Sequence, residues 1–517
     1  MAETHFFRSP RLKKVKPYGM SLLAGAGAAL SLPPFSLVPA FLLMGYVLYQ
    51  SITSQNWRQA ALHMGLGGYG WFLTSLYWIS HSLLVGEADY IYLLPLSFFG
   101  IPVIVALFWC AAGGAGFLIA RTKQGRLMML VTALGLAEWG REFIATGFPW
   151  NAPGLVFLAR YESGLLAAYF GQTGLNFLAF LTAAFVPFWY LSNSKFAKQM
   201  LSLSYALLTV VLGWLAFMHH NAEPILSDKQ APIIRLVQPN IAQSDKWVRT
   251  ERAKHLAQLV QLSTAPSDHK IDLVIWPESA FAGNYSQEQD LMRDLASQIA
   301  THHQSQGGKG LLLAGVLRID DRNLFRNSAV IISPDKKDVF YDKTHLVPFG
   351  EYVPWRALSF IDAIAADYDF TQGDAIYPLN VPSIAKILPL ICYEAIFPAL
   401  TGRATNRPEV IVNITNDGWF GHTAGPYQHL AQTKMTAISY GLPLLRVANT
   451  GISAAFSAKG KELAVLPLSQ AGYLDVPMPP SLAQTPFATY RLMILFIFPV
   501  IGIVITIMLD RSRENRQ

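Results

Sequence analysis

The sequence predicts an α/β domain joined to a polytopic membrane helical domain, and three observations carry that reading. Hydrophobic residues make up 52% of the 517 and charged residues only 14%, outside the ordinary soluble range. Apolar stretches long enough to cross a bilayer recur through the first part of the chain and return once near its end. Between residues 220 and 485 charged residues come back, and short apolar strands alternate with amphipathic helices.

Seven apolar stretches run roughly over residues 18 to 32, 35 to 53, 60 to 84, 90 to 120, 127 to 145, 163 to 191 and 200 to 218, and an eighth over 487 to 509. About eight spans follow, with domains at 1–219 (spans one to seven), 220–485 (soluble) and 486–517 (eighth span and tail). The first stretch has only about 15 residues before Pro33-Pro34, short of the ~17 to 25 a spanning helix needs. If it pairs with the second as a re-entrant hairpin, both spans are lost together and the soluble part stays on the same side.

Orientation follows from the basic residues, which are retained in the cytoplasm. Arg8, Arg11, Lys13, Lys14 and Lys16 precede the first span; Arg58, the run RTKQGR at 121 to 126, and Lys195 with Lys198 occupy alternate loops; Arg511, Arg513 and Arg516 follow the last. The intervening loops are poor in basic residues, with Arg141 and Arg160 the exceptions. Both termini are therefore expected in the cytoplasm and the 220–485 domain outside, in the periplasm of a bacterial inner (cytoplasmic) membrane. A basic start before an apolar run also fits a cleavable signal peptide, but here more membrane follows. The net charge of +7 is accounted for by these loops, so no nucleic-acid partner is expected.

Within the soluble part, APIIRLVQPNI (231 to 241) and IDLVIWPES (271 to 279) read as buried strands, separated by a helix through Leu256, Leu259 and Val260. A second helix, with Leu291, Leu295 and Ile299 on one face, leads to the strand GLLLAGVLRI (310 to 319). There follow NSAVIISP with a turn at Asp335 to Asp338, the strands KILPLICY and EVIVNITND, a helix from about 427 to 441, and a hairpin around Lys459-Gly460.

Three polar residues stand just past strand ends, where α/β sheets commonly place active-site groups: Glu278 after LVIWP, Lys343 in FYDKTHLVPFGEYVP, and Cys392 after LPLI. Singly, each has an ordinary explanation as a solvated cap, a surface charge or a small core residue. Together, an acid, a cation and a thiol are the parts thioester chemistry needs. A thiol of pKa ~8.5 is only a few per cent thiolate at neutral pH and needs a base to take its proton, a task for Glu278 if burial raises its pKa. Lys343 and a backbone N–H following Cys392 would stabilise the oxyanion, while Glu351 and Glu394 would hold the lysine. The chain has two cysteines; Cys110 lies mid-span in the fourth stretch and is not expected to pair with Cys392.

WPES with Glu278, DKTHLVPFGEYVP with Lys343 and Glu351, and ICYEAIFP with Cys392 and Glu394 resemble the Glu-Lys-Cys signature of the nitrilase (carbon-nitrogen hydrolase) superfamily. Combined with eight spans, TGFPWNAPG among them, QPNIAQSDKW at 238 to 247 and TNDGWFG at 415 to 421, the chain resembles the apolipoprotein N-acyltransferase family. The resemblance implies an α-β-β-α sandwich over a membrane base. It implies a ping-pong exchange in which Cys392 takes an acyl chain from a phospholipid and passes it to the N-terminal amine of a diacylglyceryl apolipoprotein. Glu278 is then the general base, Lys343 the oxyanion stabiliser, and Glu351, Glu394 and Tyr393 active-site support. Trp247, Asn327 and Tyr393 match neighbouring family positions, and Trp247, Asn327 and Trp355 are expected near substrate. The chain departs from the family at Thr436, Ser439 and Leu442, where arginine and glutamate are usual, which bears on helix packing rather than chemistry.

After Glu351, the stretch YVPWRALSFIDAIA carries Val353, Trp355, Leu358, Phe360 and Ile361 and reads either as core or as a lid at the bilayer surface, where tryptophan is favoured. Two other functions compete. A membrane-tethered nitrilase-type amidase would use the same triad with water as acceptor, and a transporter would require paired charges within the spans, for which Glu138, Arg141 and Glu142 are the candidates. The pairs His219-His220 and His302-His303 point apart on a helix or strand and are expected to be solvated, so neither a metal nor another cofactor is expected.

Overall fold

The computed structural model describes residues 10–85, 88–225, 231–333, 337–354 and 369–514. The chain forms two compact units, one of residues 1–80, 92–220 and 489–517, the other of residues 81–91 and 221–488.

The first unit is helical: α1 (Pro10–Ala28), α2 (Met44–Thr53), α3 (Trp57–Leu76), α4 (Ile101–Ile119), α5 (Lys123–Gly140), the single turn α6 (Tyr161–Gly164), α7 (Ala167–Leu191) and α8 (Lys195–His220). The last helix, α13 (Pro486–Glu514), enters this unit at residue 489. A helix stands at each of the eight predicted spans. Four helical segments are long and apolar enough to cross a membrane: Ile91–Ile119, Ala167–Leu191, Lys195–His220 and Pro486–Arg511. The other four are shorter or diluted by polar residues, as α1 is by the basic residues of its first turns.

Packing in this unit relies on small residues, because lipid offers no hydrophobic drive between helices. Gly25 of α1 meets Gly67 of α3 so closely that a Cβ on Gly25 would stand 1.8 Å from the Gly67 carbonyl oxygen. The charged pair at the C-terminal end of α5, Glu138 with the capping residue Arg141, is a structural clamp. Glu138 accepts from Trp109 Nε1 at 2.6 Å and from Arg141 at 2.7 Å, while Arg141 also donates to the carbonyls of Phe148 and Trp150. Its charges are spent on fixing the TGFPW loop.

The second unit runs β1 (Ile233–Gln238), α9 (Arg252–Ser263), β2 (Ile271–Ile275), β3 (Phe281–Asn284), α10 (Gln289–Ser305), β4 (Leu311–Ile319), β5 (Phe325–Ile332) and β6 (Val339–Asp342). It continues with β7 (Leu379–Val381), β8 (Ala385–Ile391), α11 (Pro398–Thr401), β9 (Val410–Thr415), α12 (Gly425–Tyr440), β10 (Leu444–Ala448), β11 (Ser453–Phe456), β12 (Glu462–Leu466) and β13 (Gly472–Pro477). One sheet has the order β13-β1-β2-β4-β5-β6 with β3 beside β4; the other has the order β12-β11-β10-β9-β8-β7.

Strand alternation builds the layers. Ile234, Leu236, Leu273 and Ile275 face Ile387, Val412, Ile414 and Leu445 of the second sheet in one apolar core. Val237, Val274 and Leu312 point the other way, onto Leu259 of α9 and Met292, Ala296 and Ile299 of α10. Helix α12 covers the second sheet, with Thr433 3.4 Å from Arg446 of β10. The result is the expected α-β-β-α sandwich.

Some local expectations shift. Strands β3, β6, β7, β10 and β13 were not legible, the first three being only three or four residues long. The buried face of α10 carries Met292, Ala296, Ile299 and His303, and Leu291 is exposed. The histidine pairs are not both solvated: His303 is buried with Nε2 2.9 Å from the Ser263 carbonyl, and His219 is buried, while His220 is exposed. Adjacent helical positions diverge by about 100°, so one ring of each pair turns inward. Thr436, Ser439 and Leu442 are all buried, and Thr436 donates to the Ala395 carbonyl at 3.2 Å. The turn residues 334–336 and the stretch 355–368, with Trp355, Leu358, Phe360 and Ile361, lie outside the described residues; Val353 is buried.

Candidate active site

Cys392 follows β8 with φ at 50°, a left-handed conformation that side chains rarely adopt. Such a backbone turns the side chain sharply off the strand, and its persistence requires outside restraint. His429 of α12 supplies some, its Nε2 donating to the Cys392 carbonyl at 3.1 Å. A carbonyl only accepts, so this nitrogen carries a proton.

Beneath the turn lies a buried ionic group. Asp417 meets His429 Nδ1 at 2.9 Å and Arg446 Nη2 at 2.6 Å, and Arg446 further donates to Asn413 and to the Ile452 carbonyl. Burial pushes the Asp417 carboxyl up, but Arg446 and His429 outweigh it and hold it below the usual carboxylate range. This group is not legible in the sequence, because a buried Arg-Asp pair leaves no periodic signature.

Glu278 follows β2, where the chain crosses β4 at Gly315. A Cβ there would stand 2.4 Å from the Pro277 carbonyl oxygen and 2.6 Å from Glu278 Cα, so only glycine lets the acid take this place. Its Oε2 accepts from Asn416 N at 3.0 Å, and its Oε1 accepts from Asn327 Nδ2 at 2.9 Å. Asn327 Nδ2 also lies 2.9 Å from Glu351 Oε1.

Lys343 follows β6, its main chain tied to the Asn327 carbonyl at 2.8 Å. The ammonium is 1% exposed; it donates to Glu351 Oε1 at 2.9 Å and lies 3.5 Å from Glu278 Oε1. Burial works against this charge, but Glu351 and Glu278 outweigh it and raise the pKa above the ordinary lysine range. The cation is therefore permanent.

Glu394 acts differently from the expectation. It accepts from Tyr341, from the N–H and hydroxyl of Thr344, from His345 N and from Ile391 N, not from the lysine ammonium. One carboxylate thus stitches the loop carrying Lys343 to the turn carrying Cys392. Tyr393 is buried with its ring 5.7 Å from His345 and 5.0 Å from Phe397. Trp247 is half exposed, and it is its neighbour Lys246 that goes inside, donating to the Glu278 carbonyl at 3.2 Å. Nothing in the local spacing distinguishes Lys246 from a surface lysine.

Burial, and then the Glu278 charge, push the Cys392 thiol up to about 12 against the pull of Lys343. A resting thiol beside a carboxylate, with an ammonium held ready, is suited to attack in which the proton leaves as the bond forms.

A family model described as carbon-nitrogen hydrolase matches residues 233–486, and one described as apolipoprotein N-acyltransferase N-terminal domain matches residues 24–185. A relative from Agrobacterium fabrum named apolipoprotein N-acyltransferase is 33% identical over 482 residues, covering 88% of each chain. The chain belongs to the apolipoprotein N-acyltransferase family. Relatives of the same name from Rhodopseudomonas palustris and Brucella melitensis are 34% and 33% identical, covering 91% and 89% of this chain and 90% and 89% of their own. The N-acyltransferase family model falls on helices of the first unit, and the carbon-nitrogen hydrolase model on the sandwich that holds Glu278, Lys343 and Cys392.

Proposed function

We propose that this chain is an acyltransferase that moves a fatty acyl group from a phospholipid to the N-terminal amine of a diacylglyceryl-cysteine on an apolipoprotein, through a thioester on Cys392. The observation that carries the reading is the convergence of Glu278, Lys343 and Cys392 in a chain that also holds membrane-length apolar helices.

In the first half, Cys392 Sγ attacks the ester carbonyl of the phospholipid while Glu278 takes the thiol proton. Lys343 and a main-chain N–H following Cys392 meet the oxyanion, worth ~3 to 4 kcal/mol per donor. The ester C–O bond breaks, Glu278 returns its proton to the departing glycerol oxygen, and the lysophospholipid leaves. In the second half the acceptor amine attacks the thioester, its proton passes to Glu278, and the thiolate departs and is reprotonated. The scheme balances with these side chains and calls on no metal or cofactor. Glu351 and Asn327 hold Lys343 and Glu278 in register; Trp247, half exposed beside the site, is assigned to substrate. The basic-loop pattern supports an inner-membrane location with the sandwich in the periplasm.

Protein given phospholipid without acceptor accumulates a covalent intermediate, so intact mass spectrometry should find one added acyl group, removable by hydroxylamine. A diacylglyceryl peptide with a free amine should discharge it. Discharge to free fatty acid at the same rate without the peptide would assign water as acceptor and make the chain an amidase. Cys392→Ala must abolish the adduct and Cys110→Ala must keep it; acylation by Cys392→Ala would end the scheme.

A further inference from the structure

Two cations, not one, are buried against Glu278. Lys246 stands in the loop after β1 and is 4% exposed; its one side-chain hydrogen bond among the described residues goes from Nζ to the Glu278 carbonyl. An ammonium carries three N–H groups, so two remain open at this point of the site. Burying a cation with a single neutral partner is costly and calls for compensation by nearby negative charge. That charge is present: Glu278 and a Cys392 thiolate are the groups that stabilise the Lys246 ammonium.

Among the described residues, the charges around the thiol balance only when Lys246 is included. Glu278 and Glu351 are two carboxylates, and Lys343 and Lys246 are two ammonium groups. Asp417 is matched by Arg446, Glu394 by its five donors, and His429 touches the cysteine only at its carbonyl. Attack keeps the balance, because the negative charge moves from Glu278 to sulfur and then to the oxyanion while Glu278 holds the proton. Without Lys246, each of these states carries one uncompensated buried negative charge, and the thiolate, with no proton of its own, suffers most.

We propose that Lys246 is a charge-compensating, positioning residue of the reaction, fixing the Glu278 main chain through its carbonyl and stabilising negative charge on Cys392 Sγ. The inference rests on Cys392 being the nucleophile. Burial pushes the Lys246 pKa down to about 8 against Glu278 and Cys392, so the ammonium persists at neutral pH and fades in mild alkali.

The test is alkylation of Cys392 by iodoacetamide in full-length protein carrying Cys110→Ala, followed by intact mass from pH 6 to 10. This readout needs no lipid or acceptor, so it stands apart from the acyl-transfer assay. Lys246→Gln and Lys246→Met should slow alkylation roughly tenfold at pH 7, where the ammonium is charged, and the gap from the parent should close as the pH rises through the Lys246 pKa of about 8. Lys246→Arg, which keeps the charge, should restore most of the rate. Profiles of the neutral variants that superimpose on the parent would overturn the proposal, as would equal losses in Lys246→Gln and Lys246→Arg. Loss of the cooperative melt in both neutral variants would also overturn it, by assigning the charge to folding rather than to the thiol.

Discussion

Asn327 Nδ2 lies 2.9 Å from Glu278 Oε1 and 2.9 Å from Glu351 Oε1, so a single amide group joins the proposed base to the acid that holds the cation. Asn327→Leu, similar in size but without donors, should therefore leave the two carboxylates bridged by the Lys343 ammonium alone. Acyl-enzyme formation should fall by about 10- to 100-fold with the melting temperature little changed, since a lost donor to a charged group costs roughly 1.5 to 3 kcal/mol. Full activity in Asn327→Leu would dismiss the bridge.

Lys343→Met keeps the aliphatic stem and removes the charge. Acylation should slow by at least ~100-fold, the loss of one oxyanion donor, while the protein remains folded. Near-normal acylation would exclude an oxyanion role for the lysine.

With its pKa pushed up to about 12, the Cys392 thiol is protonated throughout the physiological range. If Glu278 takes that proton during attack, the rate of acyl-enzyme formation should stay nearly level between pH 6 and 7.5, where Lys246 keeps its charge. Dependence on preformed thiolate would instead raise the rate tenfold per pH unit across this window. Glu278→Gln should abolish the level region together with most of the rate.

Asp417 and Arg446 form a pair with no exposure on either side chain. Removing one partner, as in Asp417→Asn, strands the other and should cost about 3 to 5 kcal/mol. The Asp417 pKa is lower folded than unfolded, so its contribution is complete above the ordinary carboxylate pKa of ~3.9 and disappears as pH falls through the depressed folded value. Melting temperatures of parent and variant should differ near pH 7 and converge only in that acid range; a constant gap would place the stabilisation elsewhere.

Reporter fusions test sidedness. A fusion after Ala222 should be exposed to the periplasm and one after Arg513 to the cytoplasm, because the lysines and arginines cluster in alternate loops. Reversed labelling of the two sites would overturn the orientation.

Chemistry in this chain was more legible in sequence than the scaffold that restrains it. Glu278 and Cys392 each follow a recognisable apolar strand, and Lys343 stands in the distinctive stretch FYDKTHLVPFGEYVP, so these residue types marked a candidate site before any geometry did. Lys246 and the group of Asp417, His429 and Arg446 were not legible, because their roles arise from burial by segments distant in sequence. Glu394 was read as a partner of Lys343 because an acid near a lysine suggests an ion pair; its hydrogen bonds go to main chain and hydroxyls instead. Strands β3, β6 and β7 are too short for alternation to register, and the α10 face shifted by one residue because Leu291 and Met292 are equally apolar.

Glu278 and Lys343 extend from strands of one sheet, while Cys392 extends from a strand of the other. Neither sheet alone holds a working set. A folding intermediate with either sheet formed but the pair undocked has a thiol without its proposed base, or that base without a thiol. Catalytic competence and completion of the fold therefore arrive together, at the docking of one sheet on the other.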